Sequence, residues 1–98
     1  MPSDLNDLEA ALQLYFDGLY EGDPTKLGRV FHEEAHLFSV NDGKLADLPL
    51  AKWFDLVRSR GSAKAADLPR NDWIVHIDRS SPTTAFAKVN CQIPPRYF

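Results

Sequence analysis

The side chains in this sequence that are best suited to acid–base chemistry are those of three histidines, because histidine ordinarily titrates nearest to neutral pH. His32 precedes two glutamates and is expected to be a solvated loop residue. His36 and His76 lie in alternating segments typical of strands. Each is a candidate acid or base if its ring points between sheet and helix, with Asp78 as a group that could orient His76. The competing interpretation places both rings on the outer face, because half of the positions on a strand point away from any pocket.

Tyr15 is the fourth candidate for chemistry. It lies at the edge of the apolar stripe of a predicted helix. One interpretation makes its hydroxyl a hydrogen-bond donor at the mouth of a pocket, and the other simply buries the ring while the hydroxyl stays hydrated. Both interpretations fit the sequence.

The segment from His32 to His36 reads H-E-E-A-H and matches the zinc signature H-E-x-x-H. That motif brings its two histidines together only on a helix, and it needs a third ligand. Here the segment follows a helix end and runs into a predicted strand. The sequence therefore predicts no metal site, and we expect any chemistry to be free of cofactors.

Aromatic residues are the remaining candidates for a binding site. They are most simply core residues, but they could equally line a cavity for a flat organic molecule. The candidates for ligand contact are Phe16, Phe31, Phe38, Trp53 and Trp73.

Composition limits the class of protein. The 98 residues predict one globular domain over 1–98, and the net charge of −3 with scattered lysines and arginines offers nothing to a nucleic-acid backbone or an anionic membrane. No stretch has the length of a membrane span and no leader peptide is apparent at the start, so we expect a cytoplasmic protein. Cys91 stands alone in an apolar pattern and is predicted to be a buried, inert thiol.

Periodicity supplies the elements that must position these residues. The strongest helical signal runs over 5–20, with Leu5, Leu8, Leu12, Phe16 and Leu19 on the apolar side. Shorter helices are predicted after Asp23-Pro24 and over 50–59, a hairpin over 35–47 around Asn41-Asp42-Gly43, and two long strands over 72–79 and 84–93. A mobile loop is expected over 61–70. The order predicts an α+β fold in which a curved antiparallel sheet packs on one long helix and two shorter ones.

Strand alternation also predicts which side chains share a face. On the first long strand, Trp73, Val75 and Ile77 are expected to lie opposite Ile74, His76 and Asp78. On the second, the small and apolar residues Ala85, Ala87, Val89, Cys91 and Ile93 are expected to lie opposite a mixed face.

The local sequence motifs resemble those of the nuclear-transport-factor-2-like superfamily, whose cone fold is shared by ketosteroid isomerase, scytalone dehydratase and polyketide cyclases. The resemblance rests on Tyr15 followed by Gly22-Asp23, then on Phe31 four residues before Ala35. The segment TAFAKVN followed by R-Y-F is similar to the putative lumazine-binding proteins within that superfamily. That family continues with further strands beyond the R-Y-F run, so the resemblance implies a cone that is incomplete at its C-terminus and truncated or completed by another chain.

The resemblance to ketosteroid isomerase can be compared position by position. Tyr15 matches the tyrosine that hydrogen-bonds the developing oxyanion in that enzyme, whereas the position of the catalytic carboxylate falls on Ser39. Serine is unsuited to abstract a proton from carbon. The resemblance therefore does not extend to steroid isomerisation.

These observations predict a protein that binds a small apolar or aromatic organic molecule. Catalysis, if present, would be cofactor-free isomerisation, dehydration or cyclisation that uses His76 or His36 together with Tyr15. The alternative is a non-catalytic binding or dimerisation module, and a homodimer through the sheet is expected in either case.

Overall fold

A computed structural model describes residues 4–93 and 96–97. In this part of the chain the structure has three helices, α1 (Asp4–Glu21), α2 (Pro24–Val30) and α3 (Leu50–Arg60). Its strands are β1 (His36–Asn41), β2 (Lys44–Pro49), β3 (Asn71–Ser81), β4 (Thr84–Ile93) and β5 (Arg96–Tyr97). This is the predicted α+β architecture, with antiparallel strands throughout.

Helix α1 buries its apolar stripe only over its second half. Phe16 and Leu19 are among the most buried side chains, whereas Leu5 is 51% exposed. The predicted face is therefore correct from the middle of the helix onward and wrong at Leu5. Gly22 ends the helix in the left-handed region at φ 66°.

Helix α2 begins where the sequence predicted it. The Asp23 carboxylate accepts hydrogen bonds from the backbone N–H groups of Thr25 (2.9 Å) and Lys26 (3.4 Å), and Pro24 occupies the first turn. Leu27 is fully buried, and its side chain lies against Gly18 of α1. This contact fixes the two helices side by side.

The first hairpin turns at Asp42 and Gly43, which both have positive φ values of 52° and 76°. Primed turns need this geometry, so the prediction from Asn-Asp-Gly is confirmed. The register pairs Leu37 with Leu48 on a half-buried face. The opposite face carries Phe38, Val40 and Leu45, all more than 60% exposed.

The segment 61–70 was predicted to be mobile, but it is fastened to α1. The Lys64 N–H donates to the Tyr20 carbonyl (3.0 Å), and the Tyr20 hydroxyl donates to the Leu68 carbonyl (2.7 Å). Arg70 pairs with Asp17 on α1 and with Asp72 on β3. Apart from the Arg70–Asp72 pair, these bonds are long-range, so periodicity along the chain gave no sign of them.

A bulge in β3 changes which residues share a face. Ile74 pairs with Val89 and His76 with Lys88, which leaves Val75 as an extra residue on β3. The alternation therefore shifts by one after Ile74. Ile77, not His76, returns to the face of Ile74, so the predicted grouping of His76 with Ile74 is wrong.

The described strands form two sheets, β1–β2 and β3–β4–β5. The core links all three helices to β4 through Phe16, Leu19, Leu27, Leu50, Trp53, Val57, Ala63 and Cys91. Among the described residues, none of the helices is both long and apolar enough to cross a membrane.

Candidate ligand-binding pocket

A pocket of about 270 Å³ opens between the helices and the inner sides of the two sheets. The helices and the residue after α2 supply Leu12, Tyr15, Val30, Phe31, Leu50 and Trp53. The strands and the approach to β1 supply Ala35, His36, Leu37, Ala87 and Val89. Apart from Tyr15, His36 and Trp53, these side chains are hydrocarbon, so the pocket favours an apolar molecule.

Three aromatic rings form one wall of the pocket. Phe31 stands edge-on to Tyr15, with ring centroids 5.6 Å apart, and edge-on to Trp53 at 5.4 Å. Tyr15 and Trp53 are 6.5 Å apart. Such edge contacts stabilise aromatic clusters beyond their buried area. The wall is therefore held in place by its own rings, each carried on a different element.

Burial sets the protonation state of the Tyr15 hydroxyl. Loss of water around the ring, and secondarily the nearby Cys91 thiol, raises the pKa of Tyr15 to about 12. The phenol therefore keeps its proton at neutral pH and can donate a hydrogen bond. Burial, with Asp72 as a further cause, likewise raises the pKa of Cys91 to about 11, as expected for an inert thiol.

His36 borders the pocket, but its ring lies on the outer face of the first hairpin beside Phe38, where it has a carboxylate partner that the sequence analysis missed. Its Nδ1 is 2.7 Å from Asp47 Oδ1 on the neighbouring strand, and its ring stacks on Phe38 with centroids 5.9 Å apart. An ionised carboxylate can only accept, so the Nδ1–H donates to Asp47. In the neutral ring, this tautomer carries the free lone pair on Nε2.

The indole N–H of Trp53 is the other polar group of the wall. Trp53 is only 3% exposed, and its Nε1 is buried with no hydrogen-bond acceptor among the described residues. A buried donor without an acceptor costs ~1–3 kcal/mol.

The sequence as a whole matches one protein family. Residues 3–98 fit the family described as Putative lumazine-binding. The chain belongs to this family. No curated protein matches it.

Two solved structures support the cone fold of this lumazine-binding family member. One is an NTF-2-like protein of unknown function from Silicibacter pomeroyi DSS-3, with 17% identity and a TM-score of 0.78; the match covers 90% of this chain and 71% of that one. The other is an NTF2-like protein of unknown function from Shewanella baltica OS155, with 22% identity and a TM-score of 0.75, covering 95% and 75%. At these identities the likeness concerns the fold, and it confirms the nuclear-transport-factor-2-like architecture.

The lumazine-binding family member brings only some of the predicted site residues together. Tyr15, Phe31, His36 and Trp53 line the pocket. Phe16 lies beneath it, with its ring centroid 5.8 Å from that of Tyr15 and only 2% exposed.

The other three predicted residues lie away from this pocket. Phe38 is 62% exposed and Trp73 is 50% exposed. His76 pairs with Lys88 on the outer face of the sheet because of the bulge at Val75. The structure therefore separates these side chains from the group around Tyr15.

The H-E-E-A-H segment is not helical in this family member. His32 lies in a turn, where its Nδ1 accepts a hydrogen bond from the Glu34 N–H (3.1 Å), while His36 lies on β1. The two rings therefore lack the shared helical face that the zinc motif needs. In the part of the chain that is described, no group of three potential metal ligands was found.

Proposed function

We propose that this protein binds a small, flat, largely apolar organic molecule between Tyr15, Phe31 and Trp53. The aromatic wall of the pocket is the observation that carries the proposal. A volume of about 270 Å³ is near the lower limit of ~300 Å³ for ligand sites, which favours a molecule of one or two fused rings. The family description supports lumazine, a bicyclic pteridine, as one ligand to test.

Filling the pocket from the sheet side tests this proposal. Ala87 lines the pocket, so Ala87→Phe is expected to weaken the binding of quinoline at least about tenfold by occupying the same space. Ala85→Phe is the matched control: it lies on the same strand, two residues away, outside the residues that line this pocket. Calorimetric titration of both variants and the parent protein, repeated with lumazine, measures the effect. Equal affinity in all three proteins would show that the ligand binds elsewhere.

Acid–base catalysis is a second candidate function, supported by the His36–Asp47 hydrogen bond. In this reaction His36 Nε2 removes a proton from a carbon next to a carbonyl group, the enolate oxygen accepts a hydrogen bond from Tyr15, and the proton returns from His36 to carbon. No residue is altered overall. Return of the proton to carbon gives isomerisation, whereas its transfer to a leaving hydroxyl group gives dehydration with release of water. In a cyclisation the enolate carbon attacks a second carbonyl group, and the resulting alkoxide takes the proton from His36.

Proton exchange in a simple ketone tests the second function. We expect the protein to accelerate deuterium uptake into 2-tetralone in D₂O, and His36→Gln to reduce that rate roughly tenfold or more. His76→Gln is the matched control, because His76 lies on the outer face of the other sheet. Deuterium uptake is followed by NMR. An unchanged rate in His36→Gln would leave the protein as a binding module without this chemistry.

We also propose that the protein forms a homodimer through the outer face of β3 and β4. Support comes from Trp73, Val75 and Phe86, large hydrophobic side chains that are all at least half exposed. Phe86→Glu is expected to convert the dimer to a monomer in sedimentation velocity, whereas Phe38→Glu, equally exposed but on the first hairpin, leaves it intact. A parent protein that sediments as a monomer at high concentration would overturn this proposal.

The cytoplasmic location, and the exclusion of nucleic-acid and membrane partners, stay predictions.

A further inference from the structure

We propose that the ligand of this pocket carries a neutral hydrogen-bond acceptor, a carbonyl oxygen or an aromatic ring nitrogen, and presents it to the indole N–H of Trp53. The inference rests on the proposed ligand-binding function and adds the chemical class of the ligand's buried edge.

The first step of the argument is the unpartnered donor. Trp53 Nε1 is buried and has no acceptor among the described residues. The ring neighbours Phe31 and Phe54, whose centroids lie 5.4 and 5.9 Å from that of Trp53, carry no side-chain oxygen or nitrogen. Tyr15, with its centroid 6.5 Å away, carries a hydroxyl group, but that group does not accept a hydrogen bond from the indole. Buried polar groups in folded proteins are nearly always hydrogen-bonded, so this donor calls for an acceptor from outside the protein.

The second step is the location of Trp53. The residue lines the pocket and is otherwise enclosed in the core, with 3% of its surface exposed. The pocket is the open space that Trp53 borders, so a ligand's acceptor approaches the indole from there, and the ring must turn slightly to present Nε1, which is covered in this structure. A molecule seated against the aromatic wall satisfies this condition.

The third step concerns charge. No lysine or arginine is among the residues that line the pocket. Burying a carboxylate or phosphate beside hydrocarbon, without a cation to pair it, is strongly unfavourable. The acceptor is therefore neutral, so the pocket is expected to favour carbonyl compounds and nitrogen heterocycles over organic acids.

Quinoline and naphthalene test the inference, because they share a ring frame and differ by one ring nitrogen. The chain has two tryptophans, so ¹⁵N labelling gives two indole N–H signals, and Trp73→Phe identifies that of Trp53. Quinoline is expected to shift the Trp53 signal downfield and to bind about two- to tenfold more tightly than naphthalene, the value of one hydrogen bond. 2-Naphthoate is expected to bind more weakly than either.

An isosteric replacement isolates the N–H group. In the Trp73→Phe background, 3-benzothienylalanine at position 53 exchanges N–H for sulfur and keeps the bicyclic ring. We expect the advantage of quinoline to vanish while naphthalene binds as before. The inference is overturned if quinoline keeps its advantage without the N–H, or if the Trp53 signal does not move when quinoline binds. Naphthalene binding in those cases would preserve the proposed pocket, whereas failure of every probe to bind would overturn both proposals.

Discussion

Trp53→Ala is expected to lower the free energy of unfolding by about 3–5 kcal/mol, the usual cost of truncating a large buried aromatic side chain. Trp53 is only 3% exposed and its ring contacts Tyr15, Phe31 and Phe54. Removing the indole leaves a cavity where these rings meet. The same ring forms the pocket wall, so stability and ligand binding fall together.

The second tryptophan supplies the control. Trp73 is 50% exposed on the outer face of β3 in the single chain, so Trp73→Ala, measured at a concentration where the protein is monomeric, is expected to cost about 1 kcal/mol. Urea denaturation of both variants, followed by circular dichroism, gives the two free energies and shows from the slopes whether unfolding stays two-state. Similar losses for both variants would contradict the burial that the structure assigns to Trp53.

The difference between these tryptophans shows where sequence reasoning stops. Both were predicted to contact the ligand, because residue type alone cannot say which face of an element meets the core. Trp53 lies on a helix whose apolar stripe is apparent at a period of 3.6, and it is buried. Trp73 lies on a strand, where the direction of a side chain depends on how the sheet packs.

The predictions that depend on interactions between neighbouring residues were the reliable ones. The Asp23 cap and the turn at Asp42-Gly43 depend only on a few neighbouring residues, and both form as predicted. The long-range connections of Tyr20 and Arg70 have no such local signature. For that reason the sequence alone predicts a mobile loop over 61–70.

The candidate site could be predicted in part. Tyr15, Phe31 and His36 were found by residue type, but the bulge at Val75 turned His76 outward, and an inserted residue leaves no mark in a short alternating pattern. Asp47 could have been found. The Asp42-Gly43 turn fixes the hairpin register, which pairs Phe38 with Asp47 and so makes Asp47 a diagonal neighbour of His36.

Replacing either of two helical glycines with alanine is expected to change the stability of the protein, in opposite directions at the two positions. A Cβ added at Gly18 would lie 2.8 Å from Leu27 Cδ2 and 2.9 Å from Leu27 Cγ. Leu27 is fully buried, and its backbone nitrogen lies 3.3 Å from the same Cβ position. We expect Gly18→Ala to destabilise the protein by about 2 kcal/mol, because overpacking of ~1–3 kcal/mol outweighs the gain in helix propensity.

Gly28→Ala is the matched control on the neighbouring helix. Its added Cβ would meet only Phe54, at 3.8 Å, which is ordinary van der Waals contact. The helix propensity of alanine is then unopposed, and we expect a gain of up to ~1 kcal/mol. Thermal and urea unfolding of both variants measure the effects. A gain in Gly18→Ala would show that α1 and α2 are not as closely packed as the Gly18–Leu27 contact requires, and a loss in Gly28→Ala would contradict the open space beside Gly28. Because α1 carries Tyr15 and α2 leads into Phe31, a loosened contact is also expected to weaken quinoline binding in Gly18→Ala, whereas Gly28→Ala leaves it unchanged.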